Sequence, residues 1–156
     1  MERVRCCLAV CLAFLLQRCL LSQGTLWGTV PLLLPPLLCF LGMTQGADRG
    51  AACGLLGGLL CLLSGTSPWM LALYPLVGGI SGAVFHNAQG FWGKWLRAVP
   101  LLAGMEAALV LGHWMAGDRL AAALRVAWPE LLLALASYPL AALLGKLVFG
   151  GRARRV

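Results

Sequence analysis

The sequence predicts an all-α integral membrane protein, a bundle of about six transmembrane helices with the N- and C-termini both cytoplasmic. Of the 156 residues, 61% are hydrophobic and only 11% are charged, a more apolar balance than soluble domains have. The apolar residues form long runs separated by short polar breaks, and a helix of about 20 such residues matches a hydrocarbon layer about 30 Å thick. The whole chain, 1–156, is therefore predicted to be a single transmembrane domain.

Six apolar segments follow one another, and each ends at a polar or turn-forming break. The predicted spans are 4–21, 26–44, 46–63, 69–86, 96–115 and 128–149. In the first, Gln17 and Arg18 occupy the place where a signal-peptide cleavage site needs small residues, so we interpret this segment as a membrane anchor. In the second, Pro31, Pro35 and Pro36 predict a kink or an irregular turn before a regular helix resumes.

Basic residues are unevenly divided between the two sides of the predicted bundle. The side of the N-terminus carries nine of them: Arg3, Arg5, Arg49, Lys94, Arg97, Lys146, Arg152, Arg154 and Arg155. The other side carries three: Arg18, Arg119 and Arg125. Because cytoplasmic loops hold the excess of Lys and Arg, this distribution predicts that both termini are cytoplasmic. The tryptophans fall at predicted segment ends or in the inner loop, which agrees with their preference for the headgroup region.

Glycines recur at every fourth residue of the third segment, which is short and either crosses with a tilt or is partly re-entrant. The predicted contact ridge consists of Gly46, Gly50, Gly54 and Gly58, with a weaker repeat at Gly78 and Gly82 in the fourth segment. On a helix this spacing produces a bare face that another backbone can approach closely. We favour packing within the molecule, and a contact that also serves a partner protein is the alternative.

Three charged residues form a candidate intramembrane polar site: Glu106, Arg18 and Glu130. Glu106 lies near the middle of the fifth segment, where a carboxylate is costly and usually faces protein or water. It is either a polar or protonatable site, or a protonated or hydrogen-bonded carboxyl that holds helices together, which we favour. Arg18 and Glu130 are predicted at similar depth, and we hypothesise that they pair. His113 lies seven residues after Glu106, near the outer edge, and is predicted to be a surface histidine.

The inner loop before the fifth segment mixes aromatic and basic residues. Trp92, Lys94, Trp95 and Arg97 form a candidate cytoplasmic contact. Such mixtures are typical of anchoring at lipid headgroups, which we favour over a docking site for a cytoplasmic partner.

Catalytic and metal-binding motifs are not found in the sequence. The seven cysteines form no Cys-x-x-Cys pair and do not accompany histidine at metal-ligand spacing. Nucleotide-binding, nucleophile-elbow and zinc-protease motifs are also missing, so the sequence predicts neither an enzyme nor a cofactor. The net charge of +7 belongs to the ends of apolar segments, which argues for membrane topology and against nucleic-acid binding.

Several short motifs follow one another in a characteristic order. Gln17 in the first span is followed by residues 25–35, glycines 46–58, the run 57–65 and the run 73–82. Over most of the chain this order resembles the bacterial rod shape-determining protein MreD family, especially its short, divergent members. Cys61 stands where many members carry an acidic residue, so no role that needs a charge there is transferred to this chain.

The resemblance implies a non-enzymatic membrane component of the cell-elongation complex, which supports lateral peptidoglycan synthesis and cell shape in the bacterial plasma membrane. Its implied partners are membrane lipid and other proteins of that complex: a bitopic scaffold, an actin-like filament and the wall synthases. The alternative is a substrate-binding membrane subunit of a vitamin or metal uptake transporter, which is also a small helical bundle. A small membrane enzyme or a flippase accessory is a third possibility.

Overall fold

All the secondary-structure elements in the described part of the protein are helices. The structure, a computed structural model, describes residues 2–19, 32–86, 89–117 and 119–149. These ranges contain α1 (Glu2–Cys19), α2 (Leu34–Gln45), α3 (Ala47–Leu63), α4 (Trp69–Phe85), α5 (Phe91–Met115) and α6 (Leu120–Phe149). The predicted all-helical class is confirmed.

Two of these helices are long and apolar enough to cross a membrane: α5 and α6. Helices α2 and α4 are apolar but shorter. At a rise of 1.5 Å per residue, the 12 residues of α2 extend over about 18 Å, less than a hydrocarbon layer of about 30 Å. Of the six predicted spans, length and apolar character therefore support two. Residues 20–21 of the first predicted span and 26–31 of the second lie outside the described residues.

Helices α5 and α6 begin earlier than the sequence predicted. Helix α5 begins at Phe91 instead of 96. It follows directly after Gly90, whose positive φ of 74° changes the direction of the chain. Helix α6 begins at Leu120 instead of 128 and continues through Pro129. Pro129 has no backbone N–H to donate, but it does not end the helix, because the residues on both sides of it keep the helical conformation. The candidate cytoplasmic contact at 92–97 consequently lies on the first turns of α5 and not in a loop.

The turn between α2 and α3 is made by Gly46. Its φ of 93° is left-handed, and the chain folds back so that α2 and α3 form a hairpin. A methyl group added at Gly50 would lie 2.8 Å from the Cα atom of Gly42, across this hairpin. The predicted glycine ridge is therefore divided, because Gly46 forms a turn and does not belong to the face of one continuous helix.

Helix α2 is the centre of the bundle. Every residue from Leu34 to Met43 is buried, and α2 contacts each of the other five described helices. The other helices run up and down around it. Gly50 faces Gly78 and Gly58 faces Leu71, so α3 and α4 are antiparallel.

The two ends of the bundle carry different connections. One end, called the Gly46 end, holds the α2–α3 turn, and there Lys94 near the start of α5 lies 5.6 Å from the Phe40 ring of α2. The other, called the Ser64 end, holds the α3–α4 connection, and there a methyl group added at Gly112 of α5 would lie 3.4 Å from the Trp69 ring of α4. Helix α5 therefore runs from the Gly46 end to the Ser64 end, and α6 returns beside it.

The first turn of α2 is buried, so its backbone N–H groups need partners inside the protein. Pro35 and Pro36 occupy this turn and have no N–H to satisfy. The side chain of Gln17 reaches over from α1, and its Oε1 atom accepts hydrogen bonds from the N–H groups of Leu33 at 3.0 Å and Leu34 at 3.2 Å. A single side chain of another helix thus caps the start of α2.

Helix α6 also contacts the start of α2. The hydroxyl of Ser137 donates a hydrogen bond to the carbonyl of Leu32 at 2.9 Å. Further along, the Phe40 ring packs against Gly145, where an added methyl group would lie 2.6 Å from the ring. The chain entering α2 is therefore fixed from both sides, by α1 and by α6.

Candidate functional site

The predicted glycine ridge lies inside the molecule. A methyl group added at Gly54 would lie 2.6 Å from the backbone nitrogen of Pro75, and one added at Gly58 would lie 2.8 Å from the Cα atom of Leu71. Both neighbours belong to α4. Helix α4 therefore covers this face of α3, and the face is not available to a partner protein.

The glycine repeat on α4, Gly78 and Gly82, forms the other half of the contact between α3 and α4. A methyl group added at Gly78 would overlap the carbonyl group of Gly50, and one added at Gly82 would lie 2.6 Å from the Cα atom of Ala47. Backbone thus meets backbone along most of the α3–α4 contact, which is the arrangement that small residues permit in membrane helices.

Glu106 lies on the inward side of α5. Its side chain is only 4% exposed, and its Oε1 atom has no hydrogen-bond partner among the described residues. Leaving a buried carboxyl oxygen without a partner destabilises a protein unless something else satisfies it. The structure therefore shows no hydrogen bond by which Oε1 of Glu106 would hold two helices together, among the described residues.

A polar cleft of about 470 Å³ opens beside Glu106 at the Ser64 end. It is lined by Glu106 and His113 of α5, by Arg119 and Glu130 on the α6 side, and by Ser67 and Met70 at the start of α4. The remaining wall consists of small and apolar side chains of α5 and α6. Among the described residues, four ionisable side chains thus share this cavity, two of each sign when histidine is protonated.

The charges of the polar cleft are ordered along its depth. Glu106 lies near the middle of α5, and Glu130 lies about three turns into α6. His113 and Arg119 lie at the end of α5 and just before the start of α6, and both are exposed. Carboxylates therefore line the interior of the cleft, and basic side chains surround its mouth.

An apolar groove lies next to the polar cleft, along the seam between α5 and α6. It has a volume of about 320 Å³ and is lined by Glu106, Ala107 and Leu111 of α5 together with Leu124, Trp128 and Leu131 of α6. Among the described residues that line this groove, Glu106 is the one with an ionisable side chain, and it also lines the polar cleft. The two cavities therefore meet at its carboxyl group.

Arg18 lies away from this site. It lines a separate cleft of about 180 Å³ with Phe14, Cys61 and Thr66, and its guanidinium donates a hydrogen bond to the carbonyl of Ser64. That carbonyl belongs to the C-terminal end of α3, where the helix dipole favours a cation. The structure thus places Arg18 and Glu130 in different clefts, although their predicted depths were similar.

The four residues of the candidate cytoplasmic contact divide into two pairs. Lys94 lies over the ring of Phe40, and the indole N–H of Trp95 donates a hydrogen bond to the carbonyl of Leu135 at 3.3 Å. These two residues join α5 to α2 and α6. Trp92 and Arg97 are exposed, and they are the members of the set that are accessible at the Gly46 end.

Sequence reasoning identified Glu106 but missed the cleft around it. The residues of α6 that line the cleft recur at helical spacing: Arg119, Ala122, Ala123, Val126, Ala127 and Glu130. This periodicity is visible in the sequence only if the helix begins near Leu120. Because the predicted span began at 128, Arg119 was counted as a loop charge and its relation to Glu130 was not recognised.

Comparison of the chain with protein-family models, with curated proteins and with solved structures found no match. Among the described residues, no group of three or more His, Cys, Asp or Glu side chains is arranged to hold a metal ion.

Proposed function

We propose that this chain is a multi-pass protein of the bacterial plasma membrane, with about six crossings and both termini in the cytoplasm. The observation that supports the membrane location is the outward face of the bundle. Large apolar side chains are exposed on the five helices that surround α2, and on α1 they follow the spacing Val4, Leu8, Leu12 and Leu15. Soluble monomers rarely expose continuous apolar patches of more than a few hundred Å².

The positions of the basic residues support the proposed orientation. Arg49, Lys94, Arg97 and Lys146 lie near the Gly46 end, where α1 also begins and α6 ends. The Ser64 end carries Arg18, Arg119 and, near the start of α6, Arg125. An excess of basic residues is typical of the cytoplasmic side, so the Gly46 end is assigned to the cytoplasm.

The orientation predicts the result of a labelling experiment in intact cells. With the exposed Cys7 and Cys19 replaced by serine, Ser67→Cys is expected to react with a membrane-impermeant maleimide, whereas Asp48→Cys should react only after permeabilisation. The two positions lie at opposite ends of α3 or just beyond it. Reaction of Asp48→Cys in intact cells would reverse the proposed orientation, and equal reaction of both would argue against a crossing by α3.

Within that membrane, we propose a non-enzymatic role in the cell-elongation complex that supports lateral peptidoglycan synthesis. The support for this role is the motif order that resembles the MreD family. Because α4 covers the glycine face of α3, contacts with a bitopic scaffold or wall synthase would use the outward apolar faces, such as Leu55, Leu59 and Leu62 of α3. The exposed Trp92 and Arg97 are the corresponding candidates on the cytoplasmic side.

Depletion of the protein in its native host tests the elongation role. Rod-shaped cells are expected to lose cylindrical growth and become round, and expression of the wild-type chain should restore their shape. The competing function, a substrate-binding subunit of a vitamin or metal uptake transporter, has the polar cleft as its support. If depleted cells keep their shape and instead lose uptake of a vitamin or metal, the elongation role is wrong and the transporter function takes its place.

A further inference from the structure

The polar cleft contains an unsatisfied group that points to a ligand. The carboxyl of Glu106 is more than nine-tenths buried, and its Oε1 atom has no hydrogen-bond partner among the described residues. Burial of this kind is costly, and sites that bind charged ligands commonly keep such a group ready for them. The cleft beside Glu106 measures about 470 Å³, within the range of small-molecule sites.

The carboxylates of the cleft select a cation. Glu106 and Glu130 line its interior, whereas the basic His113 and Arg119 lie at its mouth. A positively charged group placed between the two carboxylates would satisfy the unpartnered oxygen through a charge-assisted hydrogen bond. A bare metal ion fits poorly, because the cleft is much larger than an ion and no described cluster of three ligands is present.

The neighbouring apolar groove adds a second requirement for the ligand, which is an apolar part. It meets the polar cleft at Glu106, and its other walls are aliphatic or aromatic, with Leu124, Trp128 and Leu131 on α6. A ligand whose charged group reaches Glu106 can therefore place an alkyl chain along the α5–α6 seam. Such a ligand carries its positive charge at one end and a hydrocarbon chain at the other.

We propose that the polar cleft and the apolar groove together bind an alkylammonium ligand, with the ammonium group between Glu106 and Glu130 and the chain in the groove. This chemistry has two sources: the amine headgroup of a membrane lipid with its acyl chain, or a free amphiphilic amine. In the lipid case, His113 and Arg119 at the mouth would contact the phosphate. The proposal does not depend on the role in cell elongation.

Binding is tested with the purified full chain in a neutral maltoside detergent. Dodecylammonium is titrated at a small fraction of the detergent concentration, and thermal unfolding is followed by tryptophan fluorescence. We expect the unfolding temperature to rise with dodecylammonium, and not with dodecanoate, which has a similar chain and the opposite charge. Equal stabilisation by both compounds would show that the groove only takes up detergent-like molecules, and would overturn the proposal.

Glu106→Gln is the decisive variant. It keeps the size of the side chain and removes the charge, so the affinity for dodecylammonium is expected to fall about tenfold or more. Without ligand the variant should unfold at a higher temperature than the wild type, because a neutral amide costs less to bury than a carboxylate does. Asp48→Asn is the matched control, since it makes the same charge change at an exposed position of α3 and should leave binding unchanged.

Glu130→Gln provides a second test on the opposite wall of the cleft, and it remains informative if Glu106→Gln fails to fold. It is also expected to weaken dodecylammonium binding. Unchanged affinity in every charge-neutral variant that folds would overturn the proposal.

The two sources of the ligand are separated by native mass spectrometry. Retention of phosphatidylethanolamine over phosphatidylglycerol by the wild type, lost in Glu106→Gln, identifies the lipid headgroup. Binding of dodecylammonium with no such lipid preference identifies a free amine. Failure to bind either compound contradicts the proposed ligand class, whatever the result of the depletion experiment.

Discussion

Alanine at position 78 is expected to destabilise the protein strongly. A methyl group there would overlap the carbonyl group of Gly50, and the distance to its carbon would be 2.6 Å. The obstructing atoms belong to backbone, so they cannot turn away as a flexible side chain would. Forcing extra volume into such a contact costs about 3 kcal/mol. The free energy of unfolding of a typical protein is only about 5–15 kcal/mol, so this cost is a large part of it. The measurement is thermal unfolding in detergent, combined with the yield of monodisperse protein.

The next residue of the same helix provides the control. Gly79→Ala places its methyl group 3.5 Å from the Cβ atom of Ala51, an ordinary contact distance. Since alanine favours a helix over glycine by about 1 kcal/mol, this variant should be at least as stable as the wild type. If Gly78→Ala and Gly79→Ala unfold at the same temperature, the close approach of α3 and α4 described above is wrong.

Leucine at position 17 is expected to have the second large effect. Gln17 accepts hydrogen bonds from Leu33 and Leu34, and leucine has a similar size with no acceptor. Two N–H groups at the buried start of α2 would lose their partner, and together they would cost about 2–4 kcal/mol. Thermal unfolding of the purified variant measures this loss.

Two further variants separate capping from other effects at position 17. Gln17→Glu keeps an oxygen acceptor at the helix N-terminus and should unfold closer to the wild type than Gln17→Leu does. Gln45→Leu makes the same change at a residue whose side chain accepts a hydrogen bond only from the exposed Arg49, so its effect should be small. A Gln17→Leu protein as stable as Gln45→Leu would contradict the capping role.

The sequence was sufficient to predict the helical class and most helices, because long apolar runs with turn-forming breaks determine both. It was not sufficient to predict which helix is central. In a soluble protein the apolar face of a helix identifies the buried side. Here α2 and the helices around it are apolar on most sides, so composition does not distinguish the buried Leu37 and Leu38 from the exposed Leu59 and Leu63.

The candidate sites show the same limit. The spacing of Gly50, Gly54 and Gly58 predicted a close helix contact, but spacing alone does not identify the helix that makes it. Glu106 was identified because a carboxyl in an apolar run is unusual. Its neighbourhood depends on how α5 and α6 pair. The predicted span began at 128 and so left out the first turns of α6, beside which Arg119 lines the same cleft.

The central position of α2 has a consequence for biosynthesis. Helix α2 leaves the ribosome before α6, yet Ser137 and Gly145 of α6 complete its surroundings. Until those residues have been synthesised, the carbonyl of Leu32 lacks the Ser137 hydroxyl and the ring of Phe40 lacks its α6 neighbour. The core is therefore completed only after most of α6 has been synthesised, and a chain truncated before Ser137 lacks one wall of its own centre.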